Sequence, residues 1–210
     1  MMQKQTIINW LQNFANTIEE NKDYLTELDA AIGDADHGIN MERGFKKVIE
    51  QLPAVTDRDI GTILKTVSMT LISSIGGASG PLYGTFFLRA SATVTGKQEL
   101  DGENILELLN TGLDGIIGRG KAQLGDKTML DALHPAIAAF EEAINDGIDI
   151  KNAIEKAVAA AEQGMKETIP MIAKKGRASY LGERSSGHQD PGATSVYLML
   201  KSLYESLNDS

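Results

Sequence analysis

Apolar residues recur at helical spacing along almost the whole chain, and no stretch of useful length alternates with the period of two that a strand requires. Ile7, Leu11, Phe14 and Ile18 step by four, three and four, which lays them along one helix face. Ile105, Leu108, Leu109, Leu113, Ile116 and Ile117 do the same, as do Ile154, Val158, Ala161, Met165 and Ile169, and then Val196, Leu200, Leu203 and Leu207. The pattern predicts an all-α fold, with residues 1–210 forming a single domain. A chain this long buries roughly 70% of its unfolded surface and needs no covalent staple. With no cysteine, disulfides, thiolate metal sites and cysteine nucleophiles are excluded.

Glycine, proline and capping residues cut the pattern into about eight helices. The first is predicted from Gln5 to Lys22. The second follows Gly38 and stops before Pro53, because proline disfavours helix in the residue before it. Thr56-Asp57-Arg58-Asp59 reads as a capping box opening the third, which Gly76-Gly77 close. The fourth opens at Ser79-Gly80-Pro81, the fifth at Asp101, the sixth after Gly125-Asp126, the seventh at Asp149 and the eighth at Pro191-Gly192. Pro135 and Pro170 fall inside helical patterns and are expected to kink them. Connections around Pro53, Gly96 and Asp146 are short and plain. Four others, Asp23–Gly38, Gly76–Gly80, Gly118–Asp126 and Lys175–Gly192, are glycine-rich and hold most of the unusual polar residues. The two kinds alternate. In an antiparallel up-down array alternate connections share an end, so the four rich loops are expected at one rim of the bundle.

The first rich loop carries Asp29, Asp34 and Asp36. Carboxylates this close repel one another unless a cation lies between them, and their oxygens suit a hard ion such as Mg2+ or Ca2+. An EF-hand is excluded, because counting from Asp34 puts Gly38 at a ligand position, Ile39 at the glycine and Phe45 at the bidentate glutamate. The spacing leaves two readings open: a Mg2+ site with positions free for phosphate oxygens, or a solvated acidic turn in which Asp36 caps the next helix. Gly76–Thr85 places bare backbone and the Ser79 hydroxyl at a helix N-terminus, which attracts anions, although Ser79 as a plain N-cap also explains it. Gly118–Met129 is no P-loop, since Asp126 stands where that motif needs lysine and no strand precedes it. The last rich loop supplies cations and hydroxyls, and Arg177 is its best anion ligand because a planar guanidinium matches phosphate. His37, beside the acids, is a candidate; His134 reads as structural. A Ser-His-Asp hydrolase is disfavoured by the lack of a nucleophile elbow.

The net charge of −9 makes nucleic acid a poor partner and requires any anionic substrate to be met by local cations or metal. Three aspartates and a diphosphate of about three negative charges would repel strongly, and two Mg2+ ions would bring that sum to about −2. No apolar run approaches about 18 residues and Met1–Trp10 lacks a signal-peptide core, so a cytoplasmic protein with no membrane segment is expected.

Over essentially its whole length the sequence resembles the nucleotide-binding (L) subunits of dihydroxyacetone kinase. The carriers are Gly33-Asp34-Ala35-Asp36-His37-Gly38, Gly76-Gly77-Ala78-Ser79-Gly80-Pro81-Leu82-Tyr83-Gly84, Gly120-Lys121-Ala122 with Gly125-Asp126-Lys127-Thr128-Met129, Gly176-Arg177-Ala178-Ser179-Tyr180-Leu181-Gly182-Glu183-Arg184, and Gly187-His188-Gln189-Asp190-Pro191-Gly192-Ala193-Thr194-Ser195. The resemblance implies a closed barrel of eight antiparallel helices with the nucleotide at one rim. It implies two Mg2+ ions on Asp29, Asp34 and Asp36, and phosphates beside His37, Gly38, Ile39 and Asn40 and beside Ala78 and Ser79. It places the nucleoside near Gly120 and Met129, gives further nucleotide contacts to Asp190, Pro191 and Gly192, and makes Arg177 the phosphate-facing catalytic residue. In the stand-alone form of the family, ADP is a tightly bound coenzyme, a phosphohistidine subunit (M) converts it to ATP in place, and the phosphoryl group passes to dihydroxyacetone on a K subunit. The chain is too short to hold the fused acceptor domain of the ATP-dependent form, so the stand-alone form is expected. Still open are an L subunit that exchanges ADP for free ATP, a nucleotide-loaded regulatory module docking on a transcriptional regulator, a calcium-stabilised helical scaffold, and a homodimer.

Overall fold

A computed structural model describes residues 1–208. The helices are α1 (Lys4–Glu20), α2 (Lys22–Ile32), α3 (His37–Gln51), α4 (Ile60–Ser74), α5 (Ser79–Thr93), α6 (Gly102–Gly120), α7 (Leu130–Asn145), α8 (Ile150–Glu167) and α9 (Pro191–Ser206). Two 3-10 segments lie at Leu52–Ala54 and Arg177–Ser185. A minimal antiparallel pair, β1 (Met2–Gln3) with β2 (Glu99–Leu100), sets Met2 opposite Leu100. The fold is all-α, as the helical spacing requires.

From α3 to α9 each helix packs on the next, α9 packs on α1 and α1 packs on α3, so the order of neighbours is cyclic. The apolar faces explain this packing. Ile7, Leu11, Phe14 and Ile18 are all buried. Phe14 meets Phe45 of α3 edge-on at 4.5 Å, and the Trp10 indole N–H donates to the Met199 carbonyl of α9 at 2.9 Å. These contacts hold α1 between its two neighbours.

The structure departs from the sequence expectations at four places. The first rich connection contains a further helix, α2, which lies outside the cycle against α3 and α9. Its Leu25, Asp29 and Ile32 are buried at helical spacing, but one short stripe with a carboxylate in it does not register as an apolar face. The N-cap of α4 is Asp59, not Thr56: its carboxylate accepts from Thr62 N at 3.1 Å, Thr62 Oγ1 at 2.6 Å and Gly96 N at 2.9 Å. Those donors hold its pKa down to about 2. Helix α7 starts at Leu130 and runs through Pro135. Proline leaves the Asp131 carbonyl without its helical donor, and that carbonyl lies against Gly164 of α8, where a Cβ would collide with it. Pro170 lies beyond the end of α8, and Ile169 is exposed, so the α8 stripe ends at Met165. Asp101 and Asp149 cap α6 and α8 as expected, and Asp190 caps α9, each accepting from the backbone N–H three residues on.

Helices α3, α5, α7 and α9 start, and α4, α6 and α8 finish, at the end of the bundle that carries the glycine-rich connections. There the rich loops line one cavity of about 500 Å³.

Candidate functional site

Asp29 lies in the last turn of α2 and is buried. Its Oδ2 accepts from Asp36 N at 2.8 Å and His37 N at 3.1 Å, so Asp29, from a neighbouring element, satisfies the first N–H groups of α3. Asp36 occupies the N-cap position but makes no capping bond, which removes the reading of Asp36 as a helix cap. Ala35 between the two acids has φ +61, a left-handed conformation that costs a non-glycine residue about 1 kcal/mol. With this turn, one oxygen from each of Asp29, Asp34 and Asp36 lies within 4.8 Å of the others. An octahedral Mg2+ has oxygens at about 2.1 Å, hence roughly 3–4 Å apart, so a hard-oxygen trio of this span fits one ion or a close pair. Asp34 also pairs with Arg177, Oδ2 to Nε at 2.9 Å, which draws the last rich loop across to the first.

Ala78 and Ser79 form another wall of the cavity. Helix α5 starts there with no side-chain cap, leaving the N–H groups of Ser79 and Gly80 available to an anion. Gly120 and Met129 line the cavity from the third rich loop, beside apolar Ile116, Leu82 and Ala122. Asp190, Pro191 and Gly192 line it from the start of α9. The cavity therefore combines an acidic, anion-accepting part with an apolar wall, and Arg119, Lys175 and Arg177 stand around it as cations.

Gly38, Ile39 and Asn40 do not line this cavity. Gly38 is buried where a Cβ would collide with the Lys22 carbonyl of α2. Ile39 points outward and is exposed. Asn40 accepts from Arg43 Nη2 at 2.7 Å beneath the Gly76-Gly77 turn. Of that segment only His37 reaches the cavity.

His37 is buried between two hydroxyls: Nδ1 lies 2.9 Å from Ser79 Oγ and Nε2 3.0 Å from Ser195 Oγ. Ser195 Oγ also lies 2.8 Å from the Tyr83 hydroxyl and donates to the Gly192 carbonyl at 3.0 Å. Burial lowers the His37 pKa to about 4, against the pull of Asp29, so the ring is neutral at physiological pH. It therefore adds no charge to offset phosphate. Burial likewise raises the Tyr83 phenol.

Lys127, Tyr83 and Ser195 escape sequence reasoning as site residues. Each lies inside a quoted motif, but nothing in the spacing signals that Lys127 turns inward through a positive φ of 62. Its ammonium is almost fully buried and donates to backbone carbonyls of the last rich loop.

Asp190 is raised to about 7, chiefly by burial, with repulsion from Asp131 and Asp29 adding to it, while Ala193 N and Lys127 pull the other way. A carboxyl raised in the folded state contributes stability that is complete below its unfolded pKa of 3.8 and is lost as pH rises through about 7. His37 acts in the opposite sense: its contribution is complete above 6.5 and is lost as pH falls through about 4. Asp190→Asn keeps an oxygen for the α9 cap and isolates the first effect. Urea unfolding should find it roughly 1–3 kcal/mol more stable than the parent at about pH 8, with the difference vanishing near pH 4.

A family model described as the DAK2 domain matches residues 31–205. The chain is 50% identical over 202 residues to the ADP-binding subunit DhaL of PEP-dependent dihydroxyacetone kinase from Escherichia coli, covering 96% of each. It is 44% identical over 205 residues to the ADP-binding subunit DhaL of PTS-dependent dihydroxyacetone kinase from Lactococcus lactis, covering 98% of each. It superposes on the dihydroxyacetone kinase of C. freundii in complex with AMP-PNP and Mg2+ with a TM-score of 0.72 at 27% identity, covering 94% of this chain and 33% of that one. The native form of that kinase gives a TM-score of 0.75 at 26% identity, covering 98% and 36%. This chain thus spans about a third of the length of those two solved chains. A helical bundle, an acidic trio at its mouth and a match running through every rim loop place the chain in the DAK2-domain family.

Proposed function

We propose that this chain is the ADP-binding subunit of a PEP-dependent dihydroxyacetone kinase, a phosphotransferase subunit active with partner subunits in the cytoplasm. The observation that carries the reading is the gathering of Asp29, Asp34 and Asp36, the uncapped start of α5, and Arg177 around one cavity. Its kinship to ADP-binding subunits over nearly its whole length supports the same reading.

In this reading Asp29, Asp34 and Asp36 would hold Mg2+, as two ions. Bound ADP would supply the terminal phosphate oxygen that receives a phosphoryl group from a phosphohistidine subunit (M) and yields it to dihydroxyacetone on a K subunit. The chain's own residues position and neutralise. The Ser79 hydroxyl and the N–H groups of Ser79 and Gly80 would receive phosphate oxygens, and His37, held between two hydroxyls, fixes the orientation of Ser79. Met129, Leu82 and Ile116 give the base an apolar wall. Arg177 stands at the mouth where charge is exchanged with a partner. Phosphoryl transfer of this kind rests on alignment and charge neutralisation, so no covalent nucleophile is needed.

Reconstitution tests the proposal. With a K subunit, a phosphohistidine-charged M subunit and Mg2+, the protein should form dihydroxyacetone phosphate without added ATP and with ADP no more than stoichiometric. No product under those conditions overturns it. Nucleotide that survives gel filtration separates a resident coenzyme from one that exchanges.

A further inference from the structure

We infer that Lys127 is a positioning residue for phosphoryl transfer, acting by clamping the neck of the segment that carries Arg177. The inference rests on the reading above, in which Arg177 serves transfer.

The connection from α8 to α9 leaves the bundle at Thr168 and returns at Asp190. Its outgoing and returning strands are zipped together: Gly187 N donates to the Ile169 carbonyl at 2.7 Å, Ala173 N to Ser185 Oγ at 2.8 Å, and Asp190 N to Thr168 Oγ1 at 3.0 Å. The Lys127 ammonium enters from the loop between α6 and α7 and binds both strands. It donates to Met171 O at 3.1 Å on the outgoing side, and to Ser185 O at 2.6 Å and His188 O at 2.5 Å on the returning side. Lys127 is itself fixed, because Asp131 accepts from Gly125 N at 2.6 Å and Thr128 N at 2.8 Å and so holds the turn that aims the lysine inward.

Lys174 N also donates to the Asp126 carbonyl at 3.0 Å, from the same loop that carries Lys127, and beyond Lys174 the holding is slight. Gly176 and Gly182, both at positive φ, bracket the tip. Tyr180 there is 87% exposed. Among the described residues the tip beyond Gly176 has one ion pair to the rest of the protein, Arg177 with Asp34, besides packing against α2. The position of the guanidinium is therefore set by the neck together with its pairing to Asp34. Buried ammonium groups are costly unless fully bonded, and this one spends its charge on the backbone of a single loop.

The test uses Lys127→Gln, which keeps donors but shortens the reach and removes the charge. Displacing a catalytic group by about 1 Å costs roughly a hundredfold in rate. The expected result is a fall of about that size in phosphoryl transfer in the reconstituted system, with ADP affinity in Mg2+ changed by no more than about fivefold. The double variant with Arg177→Ala should be no slower than Arg177→Ala alone, whereas a merely structural role would multiply the losses. Lys127→Arg should restore transfer to within about tenfold of the parent. Unchanged transfer, or losses that multiply, overturns the inference. A nitroxide on Tyr180→Cys, the only thiol in a chain without cysteines, reads the neck directly. Its mobility should rise in Lys127→Gln, and an unchanged spectrum also overturns the inference. Should Arg177→Ala transfer at the parental rate, the role of Arg177 in transfer falls and that of Lys127 with it, while the label still decides whether Lys127 clamps the neck.

Discussion

Asp36→Asn is expected to weaken ADP binding in Mg2+ by about 10²-fold or more, to leave binding in excess chelator nearly unchanged, and to leave the fold intact. Asp36 is the informative member of the trio because its side chain has no other task. Asp29 also satisfies the first N–H groups of α3, and Asp34 is paired with Arg177. One unit of charge acting on a divalent cation about 4 Å away through an effective dielectric of 20 amounts to about 8 kcal/mol. The half-buried position of Asp36 reduces this to roughly 3 kcal/mol, or about 10²-fold in affinity. Without metal the same substitution relieves repulsion among three carboxylates, so the melting temperature should hold or rise. Asp29→Asn should instead lose stability, by about 1 kcal/mol, because it weakens the acceptor at the start of α3. Calorimetric titration and thermal melts of the two variants distinguish the roles.

Arg177→Ala is expected to slow phosphoryl transfer about 10³-fold while weakening ADP binding less than about tenfold. The side chain is 69% exposed and its ion pair with Asp34 is open to solvent, so little ground-state energy rides on it. In the transition state, charge spreads over the oxygens of the transferred group, and an arginine that meets it there is worth 10³ or more. Equal losses in transfer and binding would assign Arg177 to holding the nucleotide and contradict a transfer-specific role.

The sequence makes the arrangement of the loops legible because topology constrains it more than local chemistry does. Alternation of plain and glycine-rich connections around an up-down array leaves the rich ones one end to occupy, and Asp29, Ser79, Met129 and Arg177 meet there although they lie far apart in the chain. Helix α2 is missed because its buried face is short and includes the carboxylate of Asp29. Gly38, Ile39 and Asn40 lie off the cavity lining through geometry that only the fold supplies. Entering α3 at His37 turns successive residues about 100° apart, so His37 faces the cavity, Ile39 faces solvent and Gly38 meets α2. Lys127 is unreadable because its direction follows from a positive φ and from Asp131, four residues on. Its charge in the sequence suggests an anion, whereas in the fold its partners are carbonyls.

The central claim is that clustered carboxylates and a phosphate-accepting surface share one mouth because metal lies between them. Calorimetric titration of the nucleotide-free protein with ADP, with Mg2+ and again after chelation, tests it most directly. The account predicts tight binding with Mg2+ and a loss of about 10²-fold or more without it. ADP that binds as tightly after chelation would contradict it.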